Sequence, residues 1–229
     1  MRFFICGGGC YGTFYLRQLD RARARGALKV DEIVVVDQDP DCQAIELISQ
    51  TQNARIVVAD WCEFGAEVFA NEAEWRGDAW VPAPIAPHIA YEWISGRLAR
   101  LGFEPTRTRV EKELKMPFCM TLDNGSLAMS HAPGLCPTNC IEPVKCPLTG
   151  SDRDWEMRDS VLLEAGLAPS DVAIFQCRHL SFGVGVIPFS EIYDGARELC
   201  DAAAKGTREL GVATVSACHG LLDVIGLPG

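Results

Sequence analysis

Residues 2–12 read RFFICGGGCYG, an apolar run that breaks into a glycine cluster and then into a helical pattern. Gly7, Gly9 and Gly12 have the G-x-G-x-x-G spacing. In that motif the first glycine permits a tight turn, the second lets the backbone approach a pyrophosphate, and the third lets the helix pack on the strand. We expect a side chain at any of the three positions to collide. The stretch therefore predicts the opening of a nucleotide-binding βαβ unit.

The sequence that follows supplies the context that this motif requires. A helix predicted from about Tyr11 to Arg25 directs its free N–H groups and positive dipole end at the glycine turn, which favours an anion there. A second apolar strand at 32–36 is followed by Asp37, which is placed to accept the hydroxyls of a ribose. The candidate cofactor-binding residues are Gly7, Gly9, Cys10, Tyr11, Gly12, Asp37 and Asp60.

Further apolar runs extend the same architecture. A third strand at 55–59 ends at Asp60, and a fourth is predicted at 78–81. Continuous apolar runs of this kind are typical of parallel strands that are covered on both faces. We therefore predict an α/β fold, a doubly wound and mostly parallel Rossmann-like sheet with a Cys-rich hairpin and loop insertion. The predicted division is a dinucleotide-binding region at 1–104, the insertion at 105–155, and a C-terminal completion of the sheet at 156–229.

The first third of the chain resembles the NAD-binding Rossmann family, particularly its small TrkA-N type. The resemblance rests on the glycine motif, on Asp37-Gln38-Asp39-Pro40 after the second strand, and on Asp60 after the third. It implies a bound dinucleotide, and Asp37 without an arginine directly after it favours NAD over NADP. The glycine loop and the two acids also resemble those of class I methyltransferases and spermidine synthases, although those families usually carry residues ahead of the first strand.

Composition limits which classes of partner and which cell compartment we expect for the protein. The 229 residues carry a formal net charge of −10, which argues against nucleic acid as a main partner because phosphate binding needs a basic surface. No run approaches the 18 or so apolar residues of a membrane span, and the N-terminal apolar run is too short for a signal peptide. We expect a cytoplasmic protein, in which the 11 cysteines are thiols or metal ligands and not a disulfide framework.

The middle of the chain has the composition of a metal site. Apolar runs at 118–122 and 126–130 flank Asp123-Asn124-Gly125, which predicts a β-hairpin and one possible contact for a homodimer. Three cysteines follow within eleven positions and are interleaved with prolines, and thiolates bind zinc or iron–sulfur clusters. The spacing leaves the fourth ligand open between Cys119, His131, Cys177 and Cys218. The candidate metal set is Cys136, Cys140, Cys146 and Cys119.

The last two predicted strands end in residues that carry chemistry. Strand 172–177 leads into Arg178 and His179, and strand 212–217 leads into Cys218 and His219. In a doubly wound sheet both ends would open on the same edge as the glycine turn. We take these four as candidate catalytic residues, with a histidine as acid or base and Arg178 as the group that holds a substrate carboxylate or phosphate.

Three functions are compatible with these features. The first is an NAD(P)-binding oxidoreductase or redox protein with a cysteine-ligated metal centre, iron–sulfur or zinc, that acts on an unidentified small molecule. The second is a non-catalytic nucleotide or redox sensor with a structural metal. The third is an S-adenosylmethionine-dependent methyltransferase of class I.

Overall fold

The computed structural model describes residues 1–84, 88–110, 116–134, 136–137 and 140–228. In the first half of the chain the elements are β1 (Arg2–Cys6), α1 (Cys10–Ala24), β2 (Glu32–Asp37), α2 (Ile45–Gln50), β3 (Ala54–Val58), α3 (Trp61–Ala70), α4 (Glu72–Trp75), β4 (Ala79–Val81) and α5 (Ile89–Arg100). In the second half they are β5 (Thr106–Thr108), β6 (Phe118–Thr121), β7 (Leu127–Ser130), α6 (Met157–Glu164), β8 (Val172–Gln176), β9 (Arg178–His179), β10 (Gly185–Pro188), α7 (Phe189–Ala204), β11 (Glu209–Val215) and β12 (His219–Gly226).

The chain divides into two units. The N-terminal unit consists of Met1–Ile89 and Arg178–Tyr193, and the C-terminal unit consists of Ala90–Cys177 and Asp194–Gly229. Both contain sheets and helices, so the protein is α/β as predicted. The Cys-rich insertion predicted at 105–155 lies within the C-terminal unit.

The sheet of the N-terminal unit has the strand order β3-β2-β1-β4-β10-β9. The first four strands in this order are parallel. Strand β10 is antiparallel to β4, and β9 is antiparallel to β10. Strand β1 lies between β2 and β4 because the chain runs to one side of β1 through β2 and β3 and then returns to its other side. The four strands predicted from the N-terminal sequence are confirmed, with ends that differ by one residue.

Both faces of this sheet are covered, which is why β1 and β2 are continuous apolar runs. On one face Phe3 and Ile5 pack with Leu16 and Leu19 of α1 in a cluster of buried residues. On the other face the Phe4 ring lies among aromatic rings of α3, α4 and α7. The alternation of Phe3 and Phe4 between the faces follows from the two-residue period of a strand. The packed strands fix the carboxyl end of β1, where the glycine turn begins.

The C-terminal unit has its own sheet, in the order β6-β7-β12-β11-β8 with β5 paired to β12. Strands β8 and β11 are parallel, and the pairs β11·β12, β12·β7 and β7·β6 are antiparallel. The expectation that β8 and β11 complete a single, mostly parallel sheet with β1 is therefore wrong. The cause is β12, which the sequence analysis missed. It follows β11 through a tight turn and supplies an antiparallel partner, with Val215 opposite Gly220.

The hairpin predicted around Asn124-Gly125 is confirmed as β6 and β7. Gly125 N donates to Leu122 O at 2.9 Å, and the side-chain oxygen of Asn124 accepts from Ser126 N at 3.1 Å. Among the residues that the structure describes, no helix has both the length and the apolar character of a bilayer span.

An ionic network lies inside the C-terminal unit. Asp223 on β12 is 2% exposed and accepts hydrogen bonds from Arg107 and from the Ser126 hydroxyl, both at 2.5 Å. The Arg107 guanidinium also donates to Glu92 at 2.7 Å and lies 3.8 Å from the centre of the Tyr91 ring. Buried charges need such partners because desolvation is costly. The network connects α5, β5 and β12 through side chains that are distant in sequence.

Candidate functional sites

The glycine turn after β1 is tightly packed at its two ends. Gly7 N donates to Val36 O at 2.8 Å, and Gly7 has a φ of +104°, in the left-handed region that favours glycine. A Cβ at Gly12 would overlap the carbonyl oxygen of Gly7. The first turn of α1 can therefore pack on the end of β1 only with glycine at these two positions, as the motif predicts.

Gly9 differs from the other two motif glycines. A Cβ built on it meets no protein atom within 4 Å, so the predicted collision of a side chain there concerns only a bound pyrophosphate and stays a prediction. Gly9 is the N-cap residue of α1, no side chain caps the helix, and its first turn contains no acidic residue. Cys10 is exposed and Tyr11 is half-buried on that turn. The open space beside uncapped N–H groups is a suitable place for an anion.

Asp37 holds the glycine turn in position. One carboxylate oxygen accepts from Gly8 N at 2.6 Å and the other from Asp39 N at 2.9 Å. Each oxygen of an ionised carboxylate has capacity for a second hydrogen bond, so these contacts leave room for ribose hydroxyls. Gly8, which the motif treats as variable, is also constrained, because a Cβ there would overlap the Cys42 sulfur.

Asp60 has a clear structural role. It is the N-cap residue of α3, and its carboxylate accepts from Cys62 N at 2.8 Å and Glu63 N at 3.2 Å. The next residue, Trp61, contributes the ring that a Cβ on Gly7 would approach to 2.9 Å. Asp60 therefore begins the helix whose tryptophan borders the glycine turn, and this is the role that its contacts support.

The candidate catalytic residues are divided between the two units. Arg178 and His179 form β9 in the N-terminal unit, where Arg178 makes an ion pair with Glu191 and His179 is opposite Gly185 in the sheet. Cys218 and His219 lie at the β11–β12 turn of the C-terminal unit. The argument that one sheet edge brings them together therefore does not apply.

Cysteines of the Cys-rich segment are neighbours in the C-terminal unit. Burial raises the pKa of the Cys136 thiol, and so do the nearby charges of Cys140, Cys146 and Glu142. The same glutamate and Cys136 also act on Cys218, whose pKa burial raises to about 11. The electrostatic surroundings of Cys136 and Cys218 therefore overlap, and the prediction that Cys136, Cys140 and Cys146 bind one metal stays a prediction.

Two of these sulfurs accept backbone hydrogen bonds from residues that follow them. Cys146 Sγ accepts from the Thr149 hydroxyl and from the N–H groups of Thr149 and Leu148, and these contacts lower its pKa. Cys140 Sγ accepts from Glu142 N at 3.4 Å. N–H donors directed at a sulfur stabilise the thiolate, which is the form that binds metals.

Glu142 joins the Cys-rich segment to the β11–β12 turn. Its carboxylate accepts from the Ser216 hydroxyl at 2.5 Å and from the N–H groups of Ala217 and Cys218, both at 2.9 Å. Its φ of +52° is in the left-handed region, which is uncommon for a residue other than glycine. The sequence analysis missed Glu142, because nothing local distinguishes it from a surface glutamate.

Cys218 also has a partner on the segment that precedes α6. Trp155 Nε1 donates to its sulfur at 3.3 Å, and the Trp155 ring stacks on His131 with centroids 5.7 Å apart. His131 Nε2 in turn lies 2.9 Å from the Ser160 hydroxyl. Burial lowers the pKa of neighbouring His219, and the Glu142 charge opposes that shift. His131 thus contacts Trp155 through its ring face and Ser160 through Nε2.

Cys119 and Cys177 have different surroundings. Cys119 lies on β6 opposite Met129 and packs against the apolar cluster that contains Met157 and Val161. Burial raises the pKa of Cys177 to about 12, and the Glu142 charge adds to the shift. Cys218 differs from Cys119 and Cys177 in that its backbone N–H is bound by Glu142 of the Cys-rich segment.

The thiol side chains of this cluster suit a thiophilic metal chemically, but they are not arranged as a closed set of ligands. Within residues 1–84, 88–110, 116–134, 136–137 and 140–228, no three His, Cys, Asp or Glu side chains are arranged to hold a metal ion. None of the cysteines among the described residues forms a disulfide, so the cluster contains none. Metal binding here would draw neighbouring sulfurs together, as is usual where coordination and local folding are coupled.

An open cavity of about 610 Å³ lies elsewhere in the C-terminal unit. It is at the end of the sheet where β8 and β11 begin and β12 ends, and Leu167, Asp171, Arg208 and Leu227 are among its lining residues. Cys177 and Cys218 follow the opposite ends of β8 and β11. The cavity is therefore separate from the thiol cluster.

Comparison with known proteins identifies a family. Residues 90–227 match AF_1314_C, which is described as "Uncharacterized protein, C-terminal domain". No curated protein matches the chain. The matched region contains the thiol cluster and covers more than half of the 229 residues. The chain therefore belongs to the AF_1314_C family.

Proposed function

We propose that the protein is an NAD-binding oxidoreductase or redox protein, with a Rossmann-like dinucleotide site in its N-terminal unit and a cysteine-ligated metal centre in its C-terminal unit. The observation that carries the dinucleotide site is the open space at Gly9, beside the uncapped first turn of α1. A pyrophosphate there would accept hydrogen bonds from backbone N–H groups and would meet the positive end of the helix.

The strand order supports the same site. Parallel strands in the order β3-β2-β1-β4 place β1 at the point where the chain reverses its direction across the sheet. Ligands of open α/β sheets bind at the carboxyl ends of the strands beside such a point. The glycine turn follows directly after β1.

Asp37 supports NAD over NADP. Its carboxylate already positions Gly8 and Asp39, and its remaining lone pairs can accept from ribose hydroxyls. The same negative charge would repel the additional phosphate of NADP.

Bound NAD would supply the hydride chemistry, and the protein would supply positioning and proton transfer. Of the two candidate histidines, His179 lies in the same unit as the glycine turn, so it is the proposed proton-transfer residue. Arg178 is paired with Glu191, so a substrate anion would have to compete for it. We propose that the protein acts in the reducing cytoplasm, where cysteines are thiols or metal ligands.

Thermal unfolding of the full chain with NAD, NADP and S-adenosylmethionine tests the nucleotide. A ligand at one hundred times its Kd stabilises the folded state by about 2.7 kcal/mol. We expect NAD to raise the melting temperature most. A response to S-adenosylmethionine alone would instead identify a methyltransferase-type site.

Gly9→Val should abolish the NAD response, because its side chain would occupy the open space. Gly77→Val is the matched control, since a Cβ at Gly77 also meets nothing within 4 Å but lies away from the turn. An unchanged NAD response in Gly9→Val would refute the proposed site.

A further inference from the structure

The loop that carries Cys146 is closed by backbone hydrogen bonds. Arg153 N donates to Val144 O at 2.7 Å and Cys146 N donates to Ser151 O at 2.9 Å, while Lys145 and Asp152 form an antiparallel bridge. The loop thus has the form of a short hairpin. This conformation directs the N–H groups of residues 148 and 149 at the Cys146 sulfur.

Cys140 and Cys218 are held on either side of one residue. The backbone N–H of Glu142 is directed at the Cys140 sulfur, and its carboxylate binds the backbone N–H of Cys218. These contacts fix the Cys-rich segment against the β11–β12 turn without using either sulfur as a donor. Both sulfurs therefore keep lone pairs for a metal.

The Arg153 side chain carries a positive charge next to the Cys146 loop, where the backbone N–H of Arg153 binds Val144 O. Arg153 lies two residues before Trp155, whose Nε1 donates to the Cys218 sulfur at 3.3 Å, and Arg153 Nη1 donates to Glu156 at 2.8 Å. The Nε atom of Arg153 is buried and has no hydrogen-bond partner among the described residues. A divalent ion bound by four thiolates has a net negative charge, which this guanidinium would partly neutralise. A buried N–H donor without a partner is the kind of group that an anionic metal–thiolate centre would satisfy.

We propose that Cys136, Cys140, Cys146 and Cys218 bind one thiophilic metal centre, with Cys218 and not Cys119 as the fourth ligand. This assignment rests on the proposed metal centre and is independent of dinucleotide binding. Four sulfur donors select zinc or iron over magnesium and calcium. Binding releases the thiol protons to solvent and draws the four sulfurs into a closed shell.

Metal analysis and cobalt substitution of the full chain test the ligand set. Protein purified without oxygen should contain zinc or iron, and acid-labile sulfide with the iron would identify a cluster instead of a single ion. Either result supports the site. After replacement by Co²⁺, the sulfur-to-cobalt charge-transfer absorption should have the intensity of four thiolates. Wild-type protein that binds none of zinc, iron and cobalt would overturn the proposal.

Single serine variants identify the fourth sulfur. Cys218→Ser should reduce the charge-transfer intensity to that of three thiolates and weaken zinc binding at least about tenfold. Cys119→Ser should leave both unchanged, as should Cys200→Ser, which removes a buried thiol on α7 outside the ligand set. The proposal is wrong if Cys119→Ser loses a thiolate and Cys218→Ser does not.

Alkylation of the wild-type protein covers the case in which Cys218→Ser fails to fold. Zinc should protect Cys218 together with the three cysteines of the segment, as mapped by mass spectrometry, and should leave the labelling of Cys119 unchanged. Labelling of Cys218 that zinc does not affect would overturn the assignment. Metal uptake without NAD binding supports this site while refuting the dinucleotide site, and NAD binding without metal uptake refutes this site alone.

Discussion

The two units differ in how they position their candidate site residues. In the N-terminal unit, parallel strand order and backbone packing place the glycine turn, Asp37 and Asp60 near strand ends. In the C-terminal unit, individual side chains such as Glu142, Arg107 and Trp155 join segments that are distant in sequence. Positioning by the backbone is encoded locally, whereas positioning by side chains depends on tertiary contacts. Mutations should therefore affect the two units differently.

The buried network should show the largest effect. Asp223→Ala removes the more buried of the two carboxylates that pair with Arg107, so we expect a loss of about 4 kcal/mol in the free energy of unfolding, measured with urea. Asp194→Ala breaks the exposed ion pair with Arg197 and should cost less than about 1 kcal/mol. Equal losses would show that burial does not decide the contribution of these pairs.

Backbone packing at the glycine turn should give the next effect. Gly12→Ala places a methyl group on the Gly7 carbonyl oxygen, and the backbone there cannot move aside, so we expect destabilisation of about 3 kcal/mol. Gly9→Ala should cost at most about 1 kcal/mol, from the poorer N-cap. Thermal and urea unfolding of the two variants provide the comparison. A Gly9→Ala variant as unstable as Gly12→Ala would contradict the open space at Gly9.

Glu142 gives a third, smaller effect. Glu142→Gln removes the charge that accepts from two backbone N–H groups and a hydroxyl, and should lower the free energy of unfolding by about 2 kcal/mol. Glu156→Gln changes a half-exposed partner of Arg153 and should have less than half of this effect. Metal-free, reduced protein is the sample to use. If the two variants are equally stable, Glu142 does not hold the Cys-rich segment in place.

The sequence predicts the N-terminal unit well because its signals are local. A strand, a glycine turn and a helix within the first 25 residues suffice to place Gly7 and Gly12, and the Asn-Gly turn suffices for the hairpin at β6 and β7. The constraint on Gly8 comes from Cys42, which no motif relates to it. Asp60 is predicted as a cofactor-binding residue because it follows a strand, and the structure shows in addition that its carboxylate caps the next helix. The binding role stays a prediction.

The C-terminal unit is less predictable because the contacts that position its residues are not local in sequence. Continuous apolar strands are typical of a parallel sheet, and β8 and β11 are indeed parallel. The sheet is mixed because β12, which the sequence did not reveal, returns antiparallel to β11. The composition of the Cys-rich segment indicated three neighbouring thiols. The contact of the Cys-rich segment with the β11–β12 turn depends on hydrogen bonds from that turn to one glutamate side chain. Spacing contains no information on such a contact.

Hydrogen–deuterium exchange of the full chain, with and without NAD, tests most directly whether the glycine turn binds the dinucleotide. NAD should slow exchange of the amides at residues 7–13, where the backbone N–H groups of the turn and of α1 would contact the pyrophosphate. Gly9→Val should remove this protection. Unchanged exchange at residues 7–13 with saturating NAD would contradict the proposed site.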